Sequence, residues 1–171
     1  FAYTDCEVSI SVNCLVIENN RPAVKTVSEI LRHNTTKLQD DLRRELELEL
    51  GHLDDQLHAK TLAQIFVEHR LYKKIEECPT QDAVYAAVHA GFVPFRAQLT
   101  RDVTDDDVEK LLQIPIRRIS LFDMNKNRRE MDDILARMDE IRTHLSQMRK
   151  FTIDFIKALL KKYGSQYPRR T

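Results

Sequence analysis

Residues 131–148 read MDDILARMDEIRTHLSQM, and the spacing of their apolar positions decides the fold class. Met131, Ile134, Met138, Ile141, Leu145 and Met148 are separated by steps of 3, 4, 3, 4 and 3, and Phe151, Phe155 and Leu159 carry the series on by 3, 4 and 4. Alternating steps of three and four return each side chain to one face of an α-helix, while the charged residues between them fall elsewhere. A helix of this length is not held by intrinsic propensity alone and needs a second apolar stripe to cover its own. The chain supplies one upstream. Leu31, Leu38, Leu42, Leu46, Leu50, Leu53 and Leu57 recur by sevens, fours and threes, and Leu62, Ile65, Phe66, His69 and Tyr72 continue the run toward Cys78-Pro79. The expectation is a mainly α protein: a long antiparallel two-helix coiled-coil stalk, outgoing over 28–78 and returning over 123–171, with a small helical globular head over 79–122.

Punctuation residues place the element ends. Thr26-Val27-Ser28-Glu29 has the form of a capping box, in which the threonine hydroxyl accepts from an amide three residues on and the glutamate reaches back. Thr80 caps a helix for which Gly91 is the expected left-handed terminator. Phe92-Val93-Pro94-Phe95 then reads as a loop presenting aromatics. Thr104, followed by Asp105-Asp106-Asp107, caps the next helix with acids at its positive end. Pro115 ends or kinks that helix. Asp123 caps the return helix, which closes on Lys161-Lys162 and Gly164. Gly51 is the weak point of the outgoing helix, where a break would fall. Ahead of the helices, Val8, Ile10 and Val12 alternate with polar residues, Cys14-Leu15-Val16-Ile17 comes next, and Glu18–Pro22 reads as a turn. Residues 1–27 are therefore a short β hairpin or strand region.

Composition agrees with long solvated helices: 32% of the 171 residues are charged and only 3 are glycine. Lysine plus arginine number 27, and aspartate plus glutamate also 27, so the net charge is zero. The balance is uneven, because from Met148 onward basic residues dominate and Asp154 is the one acid. Such an end meets phosphates or forms a solvated helix face. No apolar run of about 18 residues is present, so no membrane span is expected. The cysteines, Cys6, Cys14 and Cys78, are odd in number and form no CxxC pair. That favours plain thiols in a reducing, cytoplasmic setting over disulfides or zinc.

Catalytic motifs are missing. There is no glycine-rich phosphate loop, HExxH or GxSxG. The six histidines (His33, His52, His58, His69, His89, His144) show no metal-ligand spacing, and no metal or cofactor is expected on this chain. Each of Tyr3, Tyr72, Tyr85, Tyr163 and Tyr167 could act as a nucleophile, but an amphipathic aromatic at a packing boundary is the ordinary role for such residues. The heptad stripe by itself fits an enzyme part and a non-enzymatic helical-hairpin adaptor or scaffold equally.

Three segments carry a resemblance. Lys110-Leu111-Leu112-Gln113-Ile114-Pro115-Ile116-Arg117-Arg118-Ile119-Ser120-Leu121-Phe122-Asp123 resembles an apolar and basic stretch of the A subunits of bacterial DNA gyrase and topoisomerase IV. Leu160-Lys161-Lys162-Tyr163-Gly164 with Pro168-Arg169-Arg170-Thr171 resembles the close of that family's return helix. Arg21-Pro22-Ala23-Val24-Lys25 with Glu29-Ile30-Leu31 resembles the start of its first long helix. The order of the three matches, and the likeness covers essentially the whole chain. Pro115 departs from the pattern, standing where the family carries Arg or Lys, which implies a broken helix there.

The resemblance implies a segment of a type IIA DNA topoisomerase A subunit, an ATP-dependent isomerase that passes one duplex through a transient double-strand break in another. Residues 1–27 would be the edge of the tower domain, 28–78 and 123–171 the coiled coil, and 79–122 the exit gate (C-gate). Two heads would meet there as a homodimer through Leu111, Leu112, Ile114, Ile116 and Ile119, flanked by Arg117 and Arg118. The catalytic tyrosine would lie N-terminal to this segment, and ATP and Mg2+ would be bound by the partner B subunit. Lys161, Lys162, Arg169 and Arg170 would be the residues nearest double-stranded DNA.

Overall fold

The computed structural model describes residues 13–75, 78–115 and 123–168. The alternating residues Val8, Ile10 and Val12, and Cys6, lie outside that range. The described part of the N-terminal region is a hairpin of β1 (Cys14–Glu18) and β2 (Arg21–Lys25), antiparallel, with Leu15 opposite Val24 and Ile17 opposite Pro22. Its two-residue loop, Asn19-Asn20, has both φ angles positive (51° and 60°). A tight hairpin turn of this kind requires that geometry, and asparagine tolerates it better than most residues.

The chain is mainly helical. Helix α1 (Val27–Glu68) begins at the expected capping box: Thr26 Oγ1 accepts from the Glu29 amide at 3.3 Å and the Thr26 amide donates to Glu29 Oε2 at 2.7 Å. It runs unbroken through Gly51, where a Cβ would meet nothing within 4 Å. The break comes later than the sequence suggested. Arg70 takes a left-handed φ of 52°, and a short helix, α2 (Leu71–Ile75), starts after it. With neither glycine nor proline there, the sequence did not announce the turn, and the outgoing helix does not reach Cys78.

Helix α3 (Gln81–Phe92) is capped by Thr80, whose hydroxyl accepts from the Ala83 amide at 3.3 Å. Gly91 is not its terminator. No glycine among the described residues has a positive φ. The residue instead gives close approach, since a Cβ there would come within 3.1 Å of Leu71 Cδ2. The 92–95 segment is likewise not a loop: Phe92 is buried at the helix end, and Val93–Gln98 form a 3-10 turn with Pro94 in its first positions. Helix α4 (Asp105–Leu112) has a full capping box between Thr104 and Asp107 and stops ahead of Pro115. Helix α5 (Met124–Ser146) starts at Asp123, whose carboxylate accepts from the Asn125 and Lys126 amides at 3.0 Å each. Helix α6 (Met148–Tyr163) comes after an irregular residue, Gln147 (φ −120°, ψ 39°). The return helix is thus two helices. Gly164 ends the second without a left-handed φ; a Cβ there would fall 2.5 Å from the Leu160 carbonyl oxygen.

The chain divides into two compact units, one formed by residues up to Arg44 together with those from Met148 onward, the other by Glu45–Gln147. In the second unit the later part of α1 and α5 run antiparallel. Arg137 reaches Glu49 through Nε at 2.8 Å and a second nitrogen at 3.1 Å, Lys60 pairs with Glu130, and Asn127 donates to Gln64 at 3.2 Å. As the α1 partner advances, the α5 partner recedes. Leu57, Ile134 and Met138 are buried along this seam with Leu50, Leu53 and Met131 packed around them. Where α1 ends, Leu62, Ile65 and Phe66 join Leu71, Val88, Phe92, Val108 and Leu111 in the core of the small helical head. Burying a side chain such as Phe66 contributes about 1.5–3 kcal/mol. In the first unit the hairpin, the start of α1 and α6 are gathered together. Leu42, Met148 and Thr152 are buried there, the Thr152 hydroxyl donating to the Met148 carbonyl at 2.8 Å.

Candidate functional site: the head and the basic helix end

The residues expected at a head contact divide by position. Leu111 is buried in the head core, so it supports the surface and does not present it. Leu112, at the last position of α4, is 36% exposed, and Ile114 packs partly against the core. Ile116, Arg117, Arg118 and Ile119 lie outside the described residues. The C-terminal end of α4 therefore offers one apolar side chain outward and one at the rim, with the exposed Lys110 beside them.

Polar groups brace this helix from beneath. Asp107 is almost fully buried, and Thr104 donates to its Oδ2 through its amide (3.1 Å) and its hydroxyl (2.8 Å). Arg101 approaches Oδ1 at 3.3 Å and also reaches Asp55 on α1 at 3.5 Å. Burial alone would raise the Asp107 pKa, but the Thr104 hydrogen bonds, then Arg101 and His58, more than offset it and hold the carboxyl below its ordinary range. His58 of α1 completes the group, with Nε2 3.5 Å from Asp107 Oδ2 and Nδ1 3.2 Å from Thr100 Oγ1. The cluster is not legible in the sequence. His58 and Thr100 are 42 positions apart, and nothing local to either marks the meeting.

On the exposed side of the head, His89 pairs with Asp105 at 2.8 Å, Arg96 pairs with Asp102 at 2.7 Å, and His69 stacks on Phe95 with centroids 4.1 Å apart. A shallow cleft of about 290 Å³ lies between His89, Phe92, Arg96 and Leu99. Among the described residues no three His, Cys, Asp or Glu gather as metal ligands. Cys14 and Cys78 are free thiols, and Tyr72 and Tyr85 pack against the head core.

At the other candidate surface, Lys161 and Lys162 are exposed in the last turn of α6, with Lys162 Nζ 5.1 Å from the Tyr163 ring centroid. Arg169 and Arg170 lie outside the described residues. No helix among the described residues is long and apolar enough to cross a membrane.

A helical hairpin with a small capped head is common property; the sequence of elements is more telling when set beside known proteins. The profile of the family described as the A subunit of DNA gyrase/topoisomerase IV matches residues 1–160. The A subunit of DNA topoisomerase 4 from Borreliella burgdorferi is 34% identical over 171 residues, covering all of this chain and 27% of that protein. The A subunit of DNA topoisomerase 4 from Salmonella typhimurium is 27% identical over 164 residues, covering 95% of this chain and 20% of that protein. The chain belongs to the family of DNA gyrase/topoisomerase IV A subunits. It spans between a fifth and about a quarter of the length of the curated relatives it matches.

Proposed function

We propose that this chain is the coiled-coil and exit-gate segment of an ATP-dependent type IIA DNA topoisomerase, acting as a spacer and a reversible homodimer contact rather than as the catalytic centre. The observation that carries the reading is the outward Leu112 at the end of α4, on a helix braced by a buried polar cluster, in a chain of this family. A gate that opens and closes needs a small apolar contact on a firm support, because a deep obligate core would not part. A two-fold contact asks each patch to meet its own copy, which an apolar helix end can do. Leu112, Ile114, Ile116 and Ile119 form the contact in this reading, Leu111 backs it and Arg117 and Arg118 flank it. The catalytic tyrosine belongs to the parent protein outside this segment. ATP and Mg2+ belong to the B subunit, which with double-stranded DNA is the parent's partner, in the cytoplasm. Lys161, Lys162, Arg169 and Arg170 meet DNA phosphates.

Sedimentation across a concentration series tests the contact. We expect a species of about twice the 20.1 kDa chain mass, reduced to monomer by Ile116→Glu and by Leu112→Glu. A strict monomer at high concentration, or a dimer indifferent to both substitutions, would reject the head contact and favour the adaptor reading, in which the helices bind a different chain. For the basic end, reversing the charge of all four residues in the full-length parent protein should weaken DNA binding and flatten its salt dependence. Unchanged affinity and slope would remove those residues from the interface.

A further inference from the structure

His58 stands where three elements of the second unit meet. Its side chain is wholly buried on α1. Thr100, between the 3-10 turn and α4, places its hydroxyl 3.2 Å from Nδ1, and Asp107 of α4 places Oδ2 3.5 Å from Nε2. That second approach is not a hydrogen bond, and among the described residues buried Nε2 has no protein hydrogen-bond partner. Asp107 is already engaged, by Thr104 at Oδ2 and by Arg101 at Oδ1. The charged groups facing the ring are Asp107 from α4, Arg101 from the connecting segment, and Asp54 on its own helix; Asp55 of that helix holds Arg101.

We infer that His58 is a protonation latch: as a neutral ring it seats the 99–104 segment and α4 on α1, and taking up a proton releases them. In the neutral ring one nitrogen accepts from the Thr100 hydroxyl and the other carries the hydrogen that points toward Asp107. The second proton would place a charge on a wholly buried ring, beside the Arg101 guanidinium. It would also require the Thr100 hydroxyl to turn from donor to acceptor. Burial is the larger effect, Arg101 the next, and both lower the affinity of His58 for a proton; Asp107 and Asp54 oppose them without prevailing. The released form binds the proton first, with its ordinary midpoint of 6.5, so the seated form keeps its full advantage above that pH and loses it as the pH falls below.

The inference does not depend on the gate reading. It is tested on the whole 171-residue chain by following the histidine ring signals by NMR from about pH 8 to about 4.5, together with amide exchange at Val108 and Leu111. The His58 midpoint should lie below 6.5, and Arg101→Met should move it upward. Each pH unit by which it lies below 6.5 corresponds to about a tenfold change in the seating equilibrium. Protection of the α4 amides, corrected for intrinsic rates, should fall on acidification in the wild type and hold steady in His58→Gln. His89 of α3 is a control, because it too pairs with an aspartate of α4, Asp105; His89→Gln should leave the acid response in place. A His58 midpoint at or above 6.5 would overturn the latch, as would equal acid loss in His58→Gln or a response abolished by His89→Gln. If His58→Gln does not fold, the wild-type titration and its displacement in Arg101→Met decide.

Discussion

Thr104 shows what a single side chain contributes and how far it can be read in advance. Its hydroxyl accepts from the Asp107 amide at 3.3 Å and donates to the Asp107 carboxylate at 2.8 Å, so one residue starts α4 and fixes a buried charge. Thr104→Ala should lower the free energy of unfolding by about 1 kcal/mol, read as a shift of the urea midpoint at unchanged slope. The depressed Asp107 adds a pH signature. Its folded pKa lies below the ordinary 3.8, so its contribution is complete above that pH and is lost as the pH falls through the folded value. Asp107→Asn should therefore flatten the acid limb of the stability curve. Thr26, Thr80, Thr104 and Asp123 were all legible as caps, because a cap is an exchange between residues two or three apart. His58 was not, since its partners come from other elements.

Whole elements were legible in kind and less so at their ends. Helical periodicity located α1 and the return helices, cap signals located α3 and α4, and an apolar run followed by a turn signal located the hairpin. Terminators were misjudged because glycine has two uses in helices. Gly91 admits Leu71 at close range and Gly51 serves neither purpose, whereas the real breaks fall at Arg70 and Gln147, two residues with no reputation for breaking anything. Gly51→Ala should stabilise the chain by about 0.5–1 kcal/mol, since the added methyl meets open space in mid-helix and restricts the unfolded chain. A thermal midpoint that fails to rise would mean that α1 is frayed at this point in solution. The stripe itself also promised more than was delivered. Ile134, Met138 and Ile141 are buried, but Phe155 and Leu159, on the same heptad series, are 36% and 40% exposed. Periodicity says which residues share a face and nothing about how much of that face is covered.

For the molecule as a whole, the succession of hairpin, long helix, helical head and return was legible, and the family resemblance carried by residues 110–123 and the two flanking segments was the correct one. The division at Arg44 and Gln147 was not, because it depends on contacts between distant parts of the chain. Ile17 (82%), Leu15 (69%) and Leu160 (69%) are apolar side chains left in water, a larger liability for solubility than for stability. Replacing Ile17 with Thr and Leu160 with Gln should change the unfolding free energy by no more than about 0.5 kcal/mol while raising the solubility limit. The head contact proposed above, if it forms the dimer, is expected to survive those two changes, which separates specific self-association from stickiness. The irregular Gln147 has a further consequence. It is exposed and lies between two helices, so a protease site engineered there would divide the chain in two while leaving α1 whole. The released piece, beginning with α6, would stay with the rest only by non-covalent packing around Met148 and Thr152. Fragment complementation at this joint would then measure, as an ordinary binding constant between two peptides, how firmly the first unit holds its own C-terminal helix.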